Sequence, residues 1–323
     1  MNADSARLAQ RRAALEGRAA IVRAIRRWFD AEGFLEVDTP ARVPSPGQEV
    51  HLQAIATGAR WLITSPEYHM KRLLAGGMPR IVQICKAWRD EEVGPHHQGE
   101  FTVAEWYRAN QPLERIADDC EALVRTAVSA VGGDAGMLNV AQPFARTTVS
   151  ELFQLHLGVR LFGDETAATL AAKIGQAGVD VGSARAYDDI FFQAFLDRIE
   201  PHLGRKQPTF VFDWPAPLGA LARRKPSHAG FVERFELYGG GLELANAFGE
   251  LTDPVEQRAR FVEESAARAA RGRPVYPIDE KLLAALADMP PTAGVALGVD
   301  RLVMFALGIS DICDVVAFAD DEV

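Results

Sequence analysis

The stretch Arg89 to Tyr107, RDEEVGPHHQGEFTVAEWY, constrains this chain more than any other. It opens on an arginine followed by acidic residues and passes through a polar turn with Gly94, Pro95, His96, His97 and Gly99. It closes on Phe101-Thr-Val-Ala-Glu105-Trp-Tyr107, which reads as a strand. The pattern predicts a β-hairpin with charged teeth. If Phe101 to Tyr107 is extended, Phe101, Val103, Glu105 and Tyr107 share one face, because side chains alternate along a strand. A carboxylate among aromatic rings on a buried face is costly unless a cation or a donor meets it. Glu105 therefore calls for a partner, either inside the chain or in a ligand, and the strand alone leaves both open.

Around this hairpin the periodicity predicts a mixed fold. Residues 5 to 32 read as a helix, with Ile21, Val22, Ile25, Trp28 and Phe29 on one side, Arg23, Arg26 and Arg27 on the other, and Gly33 placed to end it. Phe34 to Pro40 alternates like a strand and stops at its proline. After a Pro/Gly loop at 44 to 47, a short strand at Trp61 leads into a helix that holds Pro66 and Glu67 in its first turn, with Ser65 as the expected N-cap. Residues 81 to 88 read as a strand, 113 to 131 as a helix, 132 to 142 as a Gly-containing connection, and 150 to 204 as helices broken near Gly163 and Gly178 to Gly182. Thr209 to Pro215 is a further strand, and a helix is expected from about 254 to 271.

A second hairpin is written into Glu233-Arg-Phe-Glu236-Leu-Tyr, Gly239-Gly-Gly241 and Leu242-Glu243-Leu244-Ala-Asn246-Ala-Phe248-Gly-Glu250. The glycines suit a tight turn. Two antiparallel strands would bring Glu236 and Glu243 near each other, and two converging carboxylates can hold Mg²⁺ through oxygen ligands. Asn246, Phe248 and Glu250 alternate onto one face. The glycine run is not a nucleotide loop of the Walker or dinucleotide kind, since it lacks the Lys-Ser/Thr and the strand-to-helix setting. Near the end, Pro291 to Met304 carries Gly294, Ala296, Gly298, Asp300 and Arg301, with Arg301 at the start of a helix, where it can stack on a base and meet phosphate.

Composition narrows the function classes. At 323 residues and 48% hydrophobic content the chain can bury a large core. A formal charge of −9 argues against broad nonspecific nucleic-acid binding, although Arg223, Arg224 and Lys225, and Arg268, Arg271 and Arg273, form local basic groups. Three scattered cysteines, Cys85, Cys120 and Cys313, suggest neither a disulfide framework nor a zinc motif and point to the reducing cytoplasm. No apolar run is long enough for a membrane span, and the start is too polar for a signal peptide.

Taken together, residues 5 to 40, 89 to 107 and 291 to 304 resemble motifs 1, 2 and 3 of the class II aminoacyl-tRNA synthetases, in order and over nearly the whole chain, closest to the lysyl group. The resemblance implies an α+β catalytic core with a mainly antiparallel sheet flanked by helices. It also implies a dimer built on motif 1 and a helical insertion at about 150 to 204 within one domain, residues 1 to 323. It further implies that Arg89 binds the α-phosphate of ATP, Glu91 the adenine amino group, and His97 the outer phosphates. Phe101 and Arg301 would sandwich adenine, with Asp90 and Gln98 in the same loop and Gly298 beneath the nucleotide. Glu243 and the Leu244 backbone would lie at the ATP and metal site, with Glu236 as the second Mg²⁺ carboxylate. Arg89 and Arg301 would serve as the catalytic pair. Ser65, Pro66 and Glu67 match the segment that helps hold the substrate amino group in lysyl-type enzymes.

Glu67, Glu105 and Glu250, with Tyr107 and Asn246 and with Phe248 as a wall, make an acidic pocket suited to lysine or a lysine isomer. The motif 1 helix starts almost at Met1, which leaves no room for an N-terminal anticodon-binding barrel, so tRNA is not the expected acceptor. The pattern resembles the truncated lysyl-type paralogues that pass β-lysine to a lysine of elongation factor P. Ala296, where lysyl-tRNA synthetases carry glycine, points the same way. Some positions depart from that family: Gln98-Gly99 replaces the usual Asn-Pro, Ala247 the usual glycine, and Ala104 a larger apolar residue. Gly99 is expected to loosen the loop. Alternatives are an asparagine-synthetase-like paralogue, opposed by the acidic pocket, a stand-alone core charging tRNA, and a silent regulatory paralogue, opposed by the intact ATP residues.

Overall fold

The computed structural model describes residues 3–133 and 138–323, with side chains from residue 5. The chain packs as two compact units, Met1–Met137 with Thr252–Val323, and Leu138–Leu251.

The first unit begins with helix α1 (Ala3–Ala31), whose Ile21, Ala24, Ile25 and Phe29 are buried at helical spacing. Strand β1 (Leu35–Glu36) follows and is shorter than the 34 to 40 expected from alternation. Its Leu35 and Glu36 pair in parallel with Ile81 and Val82, and after Val37 donates to the Val82 carbonyl at 2.8 Å the chain departs toward Pro40, which has no N–H to continue a ladder. Strands β2 (Arg42–Val43), β3 (Ala56–Thr57) and β4 (Arg60–Leu62) make a small antiparallel sheet, and helix α2 (Glu67–Ala75) follows it. Strands β5 (Arg80–Trp88) and β6 (Glu100–Ala109) pair antiparallel along their whole length, from Arg80 opposite Arg108 to Trp88 opposite Glu100, which is the first predicted hairpin. Helix α3 (Leu113–Ala130) buries Leu113, Ile116, Ala117, Cys120, Leu123, Val124, Ala127 and Val128, one continuous stripe. The predicted connection at 132 to 142 lies partly outside the described residues.

The second unit holds β7 (Ala145–Thr148), then α4 (Val149–Leu157), α5 (Ala167–Gln176), α6 (Tyr187–Arg198), β8 (Thr209–Pro215), β9 (Phe231–Gly239) and β10 (Leu242–Gly249). β7 and β8 run parallel; β8, β9 and β10 are antiparallel neighbours. The turn from β9 to β10 rests on Gly240 and Gly241, both at positive φ (65° and 82°), the two-residue geometry that matches strand twist and that side chains resist. A core of Phe153, Phe191, Phe195 and Trp214 joins the helices to the sheet, with Phe153 stacked on Phe191 at 5.0 Å.

The chain then returns to the first unit through α7 (Pro254–Ala270), capped by Asp253, whose carboxylate accepts from the Val255 and Glu256 N–H groups, and α8 (Glu280–Leu286). Strand β11 (Thr292–Gly298) lies antiparallel to β6, and α9 (Val299–Leu307) starts directly from its end. Asp300 of α9 accepts from the Thr102 N–H and pairs with Arg18, tying α9 to β6 and α1. The result is the expected α+β organisation of largely antiparallel strands with helices against them. Among the described residues no helix is long and apolar enough to cross a membrane.

Candidate active site

Strand β6 carries the face that its alternation announced. Val103, Glu105 and Tyr107 stand opposite Gly298, Ala296 and Gly294 of β11 on one side, and opposite Cys85, Gln83 and Ile81 of β5 on the other. Glu105 is 1% exposed, and two hydroxyls meet it: Ser65 Oγ donates to Oε2 at 2.5 Å and Tyr107 Oη donates to Oε1 at 2.6 Å. The predicted substrate residues Ser65, Glu105, Tyr107 and Ala296 are thus brought together. Burial and the nearby Glu105 charge push the Cys85 thiol up to about 12, so it is an uncharged neighbour.

Ser65 is not the helix cap. Pro66 holds the N-cap position, in helical geometry and without a side-chain cap. The Ser65 hydroxyl stands one residue earlier, accepting from the Glu67 N–H at 3.1 Å while its own proton goes to Glu105. Glu67, read as a group for the substrate amine, is also half of an ion pair with Lys71 at 2.6 Å, and Lys71 is 1% exposed. The i, i+4 spacing on α2, which places Lys71 one turn from Glu67, is the sequence signal for this pair. Glu49 and Glu264 stand close enough to act on this group. Burial, then Glu67, raises the Glu49 carboxyl, and burial, then Glu49, pushes Glu264 up to about 8.

The residues predicted to bind ATP in the first unit make two main contacts. The Arg89 guanidinium lies over the Phe101 ring, 5.0 Å from its centroid, and pairs with Glu92 at 3.6 Å. Arg301, in the first turn of α9, lies 2.6 Å from His97 Nε2 and donates to the His96 carbonyl at 3.2 Å. Asp90 bridges to Gln53 and accepts from the Glu91 N–H at 3.1 Å. Glu91 takes the left-handed conformation (φ 68°), and its exposed carboxylate lies 3.7 Å from Arg273. A methyl group built onto Gly298 would meet only the Arg301 side chain, at 3.8 Å or more, so flat access to this backbone is open. The loop is not loosened at Gly99: its N–H donates to Asp320 at 2.7 Å, and Gln98 Oε1 accepts from the Asp320 N–H at 2.9 Å.

In the second unit the register sets Glu236 opposite Asn246, Arg234 opposite Phe248 and Tyr238 opposite Glu243, with a shift between Glu243 and Ala245. Leu244 lies in that shift with its side chain buried. Arg234, absent from the sequence reading, organises this face. It donates to Glu236 Oε1 at 2.6 Å, to Asn246 Oδ1 at 3.2 Å and to the Leu218 carbonyl at 2.8 Å, and it stacks on Trp214 at 4.3 Å. The signal was its position two residues before Glu236 on one strand face. Glu236 also accepts from Tyr238 Oη at 2.5 Å. Burial, then the Glu243 charge, pushes the Glu236 carboxyl up to about 7 against the opposing pull of Arg234 and Tyr238. Such a pair carries the excess negative charge that a divalent cation relieves, and each Glu236 oxygen, holding one donor, has a second lone pair to offer one. The donor set therefore fits Mg²⁺. Asn246 and Phe248 lie on the face of Arg234 and Glu236, while Glu250, 1% exposed, sits past the end of β10 in a bridge with Ala222.

The model of the tRNA synthetases of class II (D, K and N) matches residues 3–322. The chain belongs to this family. It is 40% identical over 318 residues, 94% of both chains, to the Elongation factor P--(R)-beta-lysine ligase of Klebsiella pneumoniae (strain 342). The same identity and coverage relate this class II family member to the proteins of that name in Salmonella paratyphi B (strain ATCC BAA-1250 / SPB7) and Salmonella heidelberg (strain SL476).

Proposed function

We propose that this class II synthetase homologue is an ATP-dependent ligase that activates (R)-β-lysine and transfers it to the ε-amino group of a lysine on elongation factor P. The observation that carries the reading is the 40% identity over 94% of both chains to proteins named for that reaction. The buried Glu105, aimed by two hydroxyls and set opposite Ala296, supports a cationic amino acid as substrate.

In the first step a substrate carboxylate oxygen attacks the α-phosphorus of ATP, the bond to the bridging oxygen breaks and pyrophosphate leaves, giving an acyl-adenylate. Arg89 and Arg301 neutralise phosphate charge, with Phe101, His97, Gln98, Asp90, Glu91 and Gly298 holding the nucleotide; no covalent bond to the protein is required. In the first unit Glu67, Ser65, Pro66, Glu105, Tyr107 and Ala296 are the residues assigned to the amino acid, and in the second unit Asn246, Phe248 and Glu250 are. Glu236 and Glu243, with the Leu244 backbone, would hold Mg²⁺, which supplies positive charge for the phosphates. In the second step the lysine amine of the factor attacks the acyl carbon, AMP leaves with the electron pair of the broken bond, and the amine loses a proton as the amide forms.

We read the chain as one catalytic domain with the helices at about 150–204 as an insertion, acting in the cytoplasm as a homodimer, with tRNA not the acceptor. The test is ATP-pyrophosphate exchange with Mg²⁺ and (R)-β-lysine, α-lysine or aspartate, followed by addition of elongation factor P or tRNA. Exchange with (R)-β-lysine and a mass increase on the factor is expected. Exchange with aspartate alone, or with none of the three, would overturn the reading.

A further inference from the structure

The hairpin connection between β5 and β6, residues 89 to 99, carries most of the ATP residues assigned to the first unit, and a segment more than two hundred residues away holds it. Ile312 donates its N–H to the Pro95 carbonyl at 2.8 Å. Gln98 Nε2 lies 3.5 Å from Cys313 Sγ, and Gln98 Oε1 accepts from the Asp320 N–H. The Asp320 carboxylate takes the Gly99 N–H at 2.7 Å, and a methyl group at position 99 would fall 2.8 Å from the same oxygen, so the approach is close on both sides. On the opposite strand end, Arg89 N–H donates to the Gly99 carbonyl at 2.9 Å, so the residue that Asp320 grips is the one paired with Arg89.

The segment is itself anchored. Glu322 takes Arg11 Nη1 at 2.6 Å and Nη2 at 2.8 Å and also meets Arg7 at 2.7 Å, while its carboxylate accepts from the Ala319 N–H at 2.9 Å. These donors, Arg11 foremost, hold the Glu322 carboxyl down to about 2. The far end of this chain of contacts is therefore helix α1, and its near end is the loop with His97 and Gln98.

We propose that residues Ile312–Glu322 act as a strap that sets the position of the nucleotide loop, with Asp320 as its positioning residue, working through the Gly99 N–H and Gln98. The inference rests on the ligase reading for the identity of the nucleotide, and it concerns a residue outside the sets assigned above to ATP and to the amino acid. Losing a charge-assisted hydrogen bond at an exposed site predicts that Asp320→Ala raises the KM for ATP about three- to tenfold, with kcat and the KM for (R)-β-lysine changed less than about twofold. Asp320→Asn keeps an oxygen acceptor for the Gly99 N–H and is expected to restore most of the ATP affinity. Glu322→Gln, which weakens the anchor, should move the ATP constant in the same direction by less.

The experiment is ATP-pyrophosphate exchange on the three variants with ATP and (R)-β-lysine varied separately, together with the Kd for ATP alone by titration. Unchanged ATP constants in folded Asp320→Ala would overturn the strap, and so would ATP and (R)-β-lysine constants that rise in parallel. Should Asp320→Ala not fold, unchanged ATP affinity in Glu322→Gln would overturn it equally. Wild-type protein that binds ATP without exchanging with any amino acid would sink the ligase reading, while the titration would still decide the strap.

Discussion

Glu264 of α7 offers the sharpest test of the electrostatics of the first unit. Its carboxyl is pushed from the ordinary 4.5 up to about 8, first by burial and then by the charge of Glu49, with Arg260 and Arg268 opposing. Between those two values the folded protein holds a proton that the unfolded chain has released. Stability therefore falls as pH rises through this window and levels off above about 8. At about 1.4 kcal/mol per pH unit, the span from about pH 5.5 to about pH 7.5 would cost at most about 3 kcal/mol. Partial exposure reduces this, and about 1–2 kcal/mol is expected. Glu264→Gln cannot ionise, so its stability relative to the wild type should improve by that amount over the same interval. Urea unfolding followed by tryptophan fluorescence at several pH values measures it. Wild-type and variant curves that stay parallel across the interval would refute the reasoning.

Other substitutions probe the site and its supports. Lys71→Met removes the buried cation beside Glu67 and should cost about 3–5 kcal/mol, read as a lower urea unfolding midpoint. Arg108 holds Asp119 through two hydrogen bonds of 2.6 and 3.0 Å and reaches Glu32 at 3.0 Å. Arg108→Met takes both hydrogen bonds from the fully buried Asp119 and leaves it Arg115 at 3.2 Å, so a loss of about 2–3 kcal/mol, below that of a fully unpaired buried charge, is expected by the same assay. Ala296→Gly removes a methyl opposite Glu105 and should shift adenylation toward α-lysine by about tenfold, with unchanged selectivity in exchange assays as the contrary result. Arg301→Ala should lower exchange about a hundredfold or more, and an effect on folding alone would show in the unfolding midpoint without that loss.

Much of the fold was legible because backbone requirements leave marks in the sequence. Thr209 to Pro215 forms β8 over those residues, and the glycines at 240 and 241 occupy the positive-φ positions that a two-residue turn demands. The alternation of Phe101 to Tyr107 located Glu105, but its partner came from elsewhere, since the Ser65 hydroxyl lies forty residues away. What stayed hidden shares a cause. Arg234 and Lys71 are long side chains whose reach is decided by packing, so periodicity gives their face and not their contacts. The register shift between Glu243 and Ala245 inserts a residue that alternation does not reveal, and it places Glu243 opposite Tyr238. Asp320 was invisible for a simpler reason: the hydrogen bond it accepts comes from a backbone N–H, which every residue but proline carries.

The hydroxyls around Glu105 have a further consequence. Ser65 accepts from the backbone of α2 and must therefore send its own proton to the carboxylate, while Tyr107 supplies the other oxygen from the same strand. Both oxygens are oriented before any ligand arrives. If Glu105 receives the substrate ammonium, as proposed, that cation would meet a carboxylate already aimed, and little reorganisation energy would be spent when it docks. On that proposal a neutral analogue of the same shape would gain nothing from the alignment, and discrimination by charge would precede binding.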